Sequence, residues 1–167
     1  MVDTSDLILV IAALSMFGMI LTNANRVIFG NQNSIVHIEH EAAGITLANE
    51  IIDDARRKMF NSALADGPEG NWPADFSTDF GAPAGATDLN DFYAWEHYHN
   101  YQDTVSTDQG QWFRSVEVHF CELDQPTEIV QEPTFHKRMV VTVEPLDKGT
   151  GVEMSSVRTA HEFYTPD

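Results

Sequence analysis

An uncharged apolar run near the N-terminus limits what this chain can fold into more than any other feature. Residues 7–21 read LILVIAALSMFGMIL, and residues 27–29 add the apolar triplet VIF. At about 1.5 Å per residue, an α-helix over the run covers about 22 Å, less than the roughly 30 Å of bilayer hydrocarbon. A helix that is apolar on all sides still needs an apolar surround. Residues 1–30 are therefore predicted to be a membrane anchor or part of a filament core.

Two other interpretations of this run fit the sequence less well. A secretory signal peptide carries positive charge ahead of its apolar region, whereas Asp3 and Asp6 precede this one and the first basic residue is Arg26. The second alternative is a buried helix of a soluble protein. A helix at the extreme N-terminus, however, has little chain around it to cover every face.

Residues 31–65 change from apolar all round to amphipathic, and they predict a second half of the helix. Apolar residues recur there at three- and four-residue steps, and most charged and amide side chains fall between them. The apolar positions are Ile35, Ile38, Ala42, Ile45, Ala48, Ile52, Ala55 and Met59. The turn-forming segment DGP follows at residues 66–68, so the helix is expected to end near Ala65. Gly30 and Gly44 are expected to interrupt or bend it.

Residues 66–110 form an acidic region that is rich in aromatic side chains. Between Lys58 and Arg114 there is no lysine or arginine, whereas nine acidic residues occur: Asp66, Glu69, Asp75, Asp79, Asp88, Asp91, Glu96, Asp103 and Asp108. The aromatic content is too high for a disordered linker, so we expect an ordered loop region whose rings turn inward. The acids expected to face solvent or a bound cation are Asp75, Asp79, Asp88 and Asp103.

Residues 111–167 predict an antiparallel β-sheet of at least three strands. The apolar residues that alternate with polar ones are Val116, Val118 and Phe120 in one strand and Met139, Val141 and Val143 in the next. A third strand, VEMSSVRTAHEFY, breaks its alternation near Ser155 and Ser156, as a β-bulge would. The predicted fold class is therefore α+β: a long N-terminal helix packed on a C-terminal antiparallel sheet.

This layout resembles that of type IV pilins and of the pseudopilins of type II secretion. The segment DLILVIAALSMFGMIL, with an acid just ahead of the apolar run, is similar to the family's mature N-terminus. The segment ITLANEIIDDARRKMF is similar to the half of the helix that follows. The family's acid is usually a glutamate at the fifth mature position, which is Ser5 here, and no basic leader with a glycine before the processing site is visible.

The resemblance implies a helical homopolymer whose core is a bundle of the apolar helices. In that family an acid near the start of the helix neutralises the terminal amine of a neighbouring subunit. Asp6 best fits that role here, with Asp3 as a substitute. The resemblance also implies insertion in the inner membrane before assembly and a final place at the cell surface. The implied assembly residues are Asp6, Leu7, Ile8, Val10, Ile11, Leu14, Phe17, Met19, Ile20 and Leu21.

Two histidine clusters are candidate metal sites. His37 and His40 stand three residues apart, whereas a zinc-peptidase helix needs two histidines four residues apart so that both face one metal. A solvated helix face is the favoured interpretation. Glu96, His97 and His99 form the second cluster, where the neighbouring aromatic residues favour ring packing over metal binding.

Asp88, Asn90 and Asp91 are weak calcium candidates, because carboxylate and amide oxygens are the ligands that calcium prefers. They lack the glycine and the distal glutamate of an EF-hand loop, and ordinary capping and turn roles are the favoured interpretation. No other cofactor is expected.

Composition and motifs disfavour several classes of function. With 26 acidic against 9 basic residues and a net charge of -17, the chain repels nucleic acid. Motifs for a catalytic nucleophile, a phosphate-binding loop and a dinucleotide site are missing, so no catalytic residue and no enzyme activity are expected. Cys121 is the single cysteine and lies in an alternating apolar stretch, which predicts a buried, inert thiol.

The sequence therefore predicts a structural subunit that polymerises through its apolar N-terminal helix into an extracellular pilus-like filament or a secretion pseudopilus. The alternative is a monomeric, single-pass membrane-anchored binding domain, with calcium dependence as a variant of it. The purpose of such a filament does not follow from the sequence.

Overall fold

The structure, a computed structural model, describes residues 4–66, 73–147 and 149–160. The chain divides into two compact units, Met1–Glu39 and His40–Asp167, and each is described by itself. One long helix, α1 (Thr4–Arg56), begins in the first unit, and its last turns lie on a four-stranded antiparallel sheet in the second. The predicted α+β fold class, a long helix packed on an antiparallel sheet, is confirmed.

The sheet consists of β1 (Gln102–Thr107), β2 (Gly110–Cys121), β3 (His136–Pro145) and β4 (Val152–Thr159), in the order β1-β2-β3-β4. All three neighbouring pairs are antiparallel, as the predicted meander requires. The sequence pattern misses β1, because its segment QDTVST is polar and lies at the sheet edge, where only alternate residues are half-buried.

Strand β4 pairs with β3 in unbroken register along its whole length. The predicted bulge near Ser155 and Ser156 is therefore wrong. The apolar alternation breaks because Ser156 and Arg158 take positions on the side that faces the helix, whereas Val157 lies on the other side and is 40% exposed. A polar residue in an inward position produced the signal that resembled a bulge.

The core of the second unit lies between the last turns of α1 and one face of the sheet. The strand residues predicted to face inward are buried: Val116, Val118, Phe120, Met139, Val141 and Val143. On the helix, Ala48, Ile52 and Ala55 are buried as expected, but Ala42 and Ile45 are exposed. The buried helix face runs through Gly44, Leu47, Ala48, Ile51, Ile52 and Ala55.

Gly44 explains why this face, and not the predicted one, meets the sheet. A Cβ atom at Gly44 would lie 2.8 Å from Cγ2 of Val152, a distance that a real side chain does not tolerate. Glycine therefore allows the helix and β4 to approach closely at this point. Helix α1 continues through both Gly30 and Gly44, so the predicted interruptions do not occur.

Helix α1 ends at Arg56, well before the predicted end near Ala65. Beyond it, the backbone N–H of Met59 donates to the carbonyl of Tyr93 at 2.9 Å, and the Met59 carbonyl accepts from the N–H of Trp95 at 3.1 Å. These bonds form a short β-bridge, which a helical residue could not make. A 3₁₀ turn, Ser62–Asp66, takes up the rest of the predicted helix.

The aromatic region between the helix and β1 is held by its rings, as predicted. The buried rings are Phe76, Phe92, Trp95 and Tyr98, whereas Tyr93 is 46% exposed. Trp72 lies outside the described residues. Between residues 73 and 101 the structure describes three 3₁₀ turns: Pro73–Asp75, Leu89–Asp91 and Trp95–Tyr98.

The acids of this region divide into two groups. Asp75, Asp79 and Asp88 are exposed, as predicted. Asp103 is not: it is half-buried and forms an ion pair with Arg114. Glu96 departs furthest from the expectation of an external acidic region, since none of its surface is exposed.

Candidate assembly helix

Residues 7–21 of α1 present an apolar surface on all sides. Large apolar side chains between residues 7 and 21 are 49 to 70% exposed. They include every predicted assembly residue whose side chain the structure describes: Leu7, Ile8, Val10, Ile11, Leu14, Phe17, Met19, Ile20 and Leu21. The backbone of Asp6 lies in the helix, and its side chain is outside the described residues.

The hydroxyl groups in this part of the helix bond to its own backbone. Ser15, Thr22 and Ser34 each donate a hydrogen bond of 2.8 to 3.0 Å to the carbonyl four residues earlier. Such bonds satisfy polar groups that would otherwise need water. The surface formed by these turns is therefore compatible with lipid or with other apolar helices.

A second apolar block follows the first. Its exposed residues, at 51 to 65%, are Val27, Ile28, Phe29, Ile35, Val36 and Ile38. The polar segment TNANR at 22–26 separates the two apolar blocks, and the polar segment GNQNS at 30–34 divides the second block into two parts. The helix is long and apolar enough to cross a membrane.

Asp88, Asn90 and Asp91, the weak calcium candidates, form the cap of a 3₁₀ turn. Asp88 Oδ1 accepts a hydrogen bond from the N–H of Asn90 at 2.7 Å, and Asp91 Oδ2 accepts one from the N–H of Thr87 at 2.7 Å. Backbone hydrogen bonds to the carboxylate lower the pKa of Asp91. The capping interpretation is confirmed. Nowhere in the described ranges do three or more His, Cys, Asp or Glu side chains come together as a metal site would require.

His97 and His99 are ring-packing residues, as the favoured interpretation predicts. The His97 ring lies edge-on to Tyr93 with 4.2 Å between centroids, and His99 Nδ1 accepts a hydrogen bond from the N–H of Val118 at 3.1 Å. Burial lowers the pKa of both imidazoles, so they are held neutral.

The histidines of the first candidate cluster, His37 and His40, lie on α1. His37 is exposed on the first unit. His40 belongs to the second unit and packs against Trp112, with 5.7 Å between ring centroids. Its Nδ1 is buried without a hydrogen-bond partner among the described residues. The solvated face expected for this pair therefore holds for His37 and not for His40.

A buried ion pair between Lys137 of β3 and Glu96 is not predicted by the sequence. Neither side chain has any exposed surface, and Lys137 Nζ lies 2.7 Å from Glu96 Oε2. The ammonium also donates to the carbonyl of Phe60 at 3.0 Å, and Glu96 Oε1 accepts from the N–H of Ser62 at 2.5 Å. Three phenylalanine rings surround the ammonium, with centroids 4.9 to 5.5 Å away.

This pair is structural, because no substrate can reach it. Burial lowers the pKa of Lys137 to about 8, although the charge of Glu96 and its hydrogen bond to the ammonium raise this pKa. The contacts join β3 to the segment that follows α1. One sequence signal could have revealed the pair: Lys137 occupies an inward position in the alternation that continues through Met139 and Val141.

Two arginines join the helix to the sheet in a similar way. Arg158 of β4 donates to the carbonyl of Ala55 in the last turn of α1 at 3.4 Å and to that of Lys58, just beyond the helix, at 2.5 Å, where a cation is favoured by the helix dipole. Arg114 of β2 pairs with Asp103 of β1 and lies 3.0 Å from Glu50 of α1. The hydrogen bond to Asp103 raises the pKa of Arg114 further.

Cys121 is buried at the end of β2. Burial raises the pKa of its thiol, which favours the protonated and less nucleophilic form. The predicted burial of this thiol is confirmed.

Comparison with family models, with curated proteins and with solved structures gives no match to this chain.

Proposed function

We propose that this chain is a structural subunit that polymerises through its N-terminal helix into a pilus-like filament or a secretion pseudopilus. The observation that supports the proposal most is the length over which apolar side chains stand exposed on α1. Leu7 and Ile38 are 57% and 62% exposed. The helix between them rises about 46 Å at about 1.5 Å per residue.

A bilayer covers only part of that length. Its hydrocarbon core is about 30 Å thick, so a single-pass anchor without partners would leave in water or among head groups about 16 Å of helix that carries exposed apolar residues such as Ile35 and Ile38. Exposed apolar surface of that extent is typical of a protein–protein contact. Bundling with copies of the same helix covers it, which favours the polymer over the monomeric anchor.

The second unit has the properties of a domain displayed outside such a bundle. Its core is closed by residues from His40 onward, and its acids lie mainly on the surface. A chain of net charge -17 repels its own copies, so the acidic surfaces are best placed apart and facing solvent.

Electron microscopy of material sheared from cells that produce the full chain tests the proposal. Thin helical filaments that contain the chain are expected. Particles or detergent-soluble monomers alone, under conditions in which the chain is produced and inserted, would contradict it and favour the anchored binding domain.

A substitution at Asp6 tests the role of the acid at the start of the apolar run. In an apolar bundle a carboxylate costs several kcal/mol unless a cation or a donor pairs with it, so Asp6 should contact an amine or another cation. Asp6→Ala should strongly reduce filament yield while the second unit stays folded. Filament yield equal to that of the wild type would refute this role.

A further inference from the structure

Arg26 is the one lysine or arginine in the sequence of the first unit, and its position points to a partner on another copy. Arg26 is exposed on α1 and makes no ion pair within the part of the chain that the structure describes. The nearest acids along the same helix are Asp6, about 30 Å away, and Glu39, about 20 Å away at about 1.5 Å per residue. Neither distance can be bridged within one helix.

We propose that Arg26 forms an ion pair with Asp6 of a second copy of this chain, and that this pair fixes the stagger between neighbouring helices. The inference rests on the proposed polymer. A guanidinium enclosed by apolar helices needs a carboxylate partner, because an unpaired charge removed from water is strongly unfavourable. Asp6 carries the opposite charge at the start of the apolar run 7–21.

The sequence on either side of the two charges supports this pairing. A stagger that sets Arg26 beside Asp6 in parallel helices also sets the polar segment ANR (24–26) beside TSD (4–6). The same stagger sets the apolar triplet VIF (27–29) beside LIL (7–9). Over these six positions polar residues lie mainly beside polar residues and apolar residues beside apolar ones, as a helix bundle requires, whereas further along the same stagger sets GNQNS (30–34) beside VIAAL (10–14).

Pairing with Glu39 gives a poorer match in the turns next to the charges. A stagger that sets Arg26 beside Glu39 of another copy places the apolar residues Ile35 and Val36 beside Thr22 and Asn23. It also leaves Asp6 without Arg26 as a partner. The Asp6 stagger, by contrast, leaves Asp3 for the terminal amine that the resemblance to pilins implies.

Charge reversal tests the pair in the full chain. Arg26→Asp and Asp6→Arg should each lower filament yield at least about tenfold, because each places two like charges together. The double variant, Arg26→Asp with Asp6→Arg, should return the yield to within about threefold of the wild type, since it restores the pair in the opposite orientation. Arg56→Gln is the matched control, because it removes an exposed arginine outside the first unit, and it should leave the yield unchanged.

The outcomes separate this inference from the proposed function. If the wild type forms no filaments, the proposed function fails and the inference fails with it. If wild-type filaments form and either single reversal assembles normally, the inference is wrong and the proposed function stands. The same holds if the double variant, inserted and folded as judged by the circular dichroism of the detergent-extracted chain, is no better than the single variants. A helical reconstruction of wild-type filaments should show Arg26 within about 4 Å of Asp6 from a neighbouring copy.

Discussion

Removing the ammonium of Lys137 should destabilise the second unit more than most single substitutions. In Lys137→Met the Glu96 carboxylate keeps the N–H of Ser62 at 2.5 Å but loses its cation at 2.7 Å, with no water to replace it. Breaking a buried pair from one side costs about 3–5 kcal/mol, so we expect the free energy of unfolding to fall by about 4 kcal/mol. The assay is urea unfolding of the detergent-solubilised chain, followed by the fluorescence of the buried Trp95 and Trp112.

The matched control removes both charges at once. In Glu96→Gln with Lys137→Met, the glutamine oxygen can still accept from Ser62, and the methionine fills much of the space among the phenylalanine rings. Replacing a buried pair by neutral groups of similar volume is often close to neutral, so the double variant should lie within about 1–2 kcal/mol of the wild type. A loss below about 1 kcal/mol in Lys137→Met would show that water solvates Glu96, and the reasoning would be refuted.

Three further predictions concern pH, packing and salt. Burial lowers the pKa of Lys137 to about 8, whereas the pKa of an unfolded lysine is about 10.4. Between about pH 8 and pH 10 the unfolded chain therefore binds more protons than the folded chain. The free energy of unfolding should rise with pH over this range by up to about 2 kcal/mol. A pH titration of urea unfolding checks this, and an equal rise in the double variant would contradict it. Gly44→Leu should lower the free energy of unfolding, measured by thermal unfolding, by about 1–3 kcal/mol, because a Cβ atom there would lie 2.8 Å from Val152. In the control, Gly30→Ala, the added Cβ has nothing within 4 Å and should not destabilise the chain. Because the chain has 26 acidic and 9 basic residues, salt should screen the repulsion between its acids, and the melting temperature of the second unit should rise between about 0.1 M and 1 M salt. A fall in the melting temperature would contradict this repulsion. If the acidic region is external, chelators of divalent cations should leave the filaments intact.

The sequence predicts the fold class well because two strong signals agree with the structure. The apolar run and the alternation of the strands each extend over many residues, so a single residue does not disturb the pattern. Strands β2 and β3 bury the predicted residues, and the aromatic region turns its rings inward. The exposed apolar helix is likewise predictable from its residues alone, since an apolar surface on all sides of a helix requires no knowledge of the rest of the fold.

The errors arise where tertiary contacts override local pattern. The helix ends at Arg56 because the backbone of Met59 pairs with a loop distant in sequence, and no local signal marks that point. The register of the helix on the sheet depends on the approach at Gly44, which the pattern interprets as a bend. Charged residues at inward strand positions, such as Lys137 and Arg158, are counted as solvent-facing by any rule based on hydrophobicity.

The contacts of Arg158 also determine when the second unit can finish folding during synthesis. The carbonyls that Arg158 binds lie at the end of α1 and just beyond it, about a hundred residues earlier in the chain, so these contacts form only after the last strand has left the ribosome. The apolar helix emerges long before that moment, and membrane insertion can begin while the domain behind it is still open. Ribosome-bound chains that stop before Val152 should therefore be protease-sensitive beyond residue 40, and resistant chains of that length would contradict this order of events.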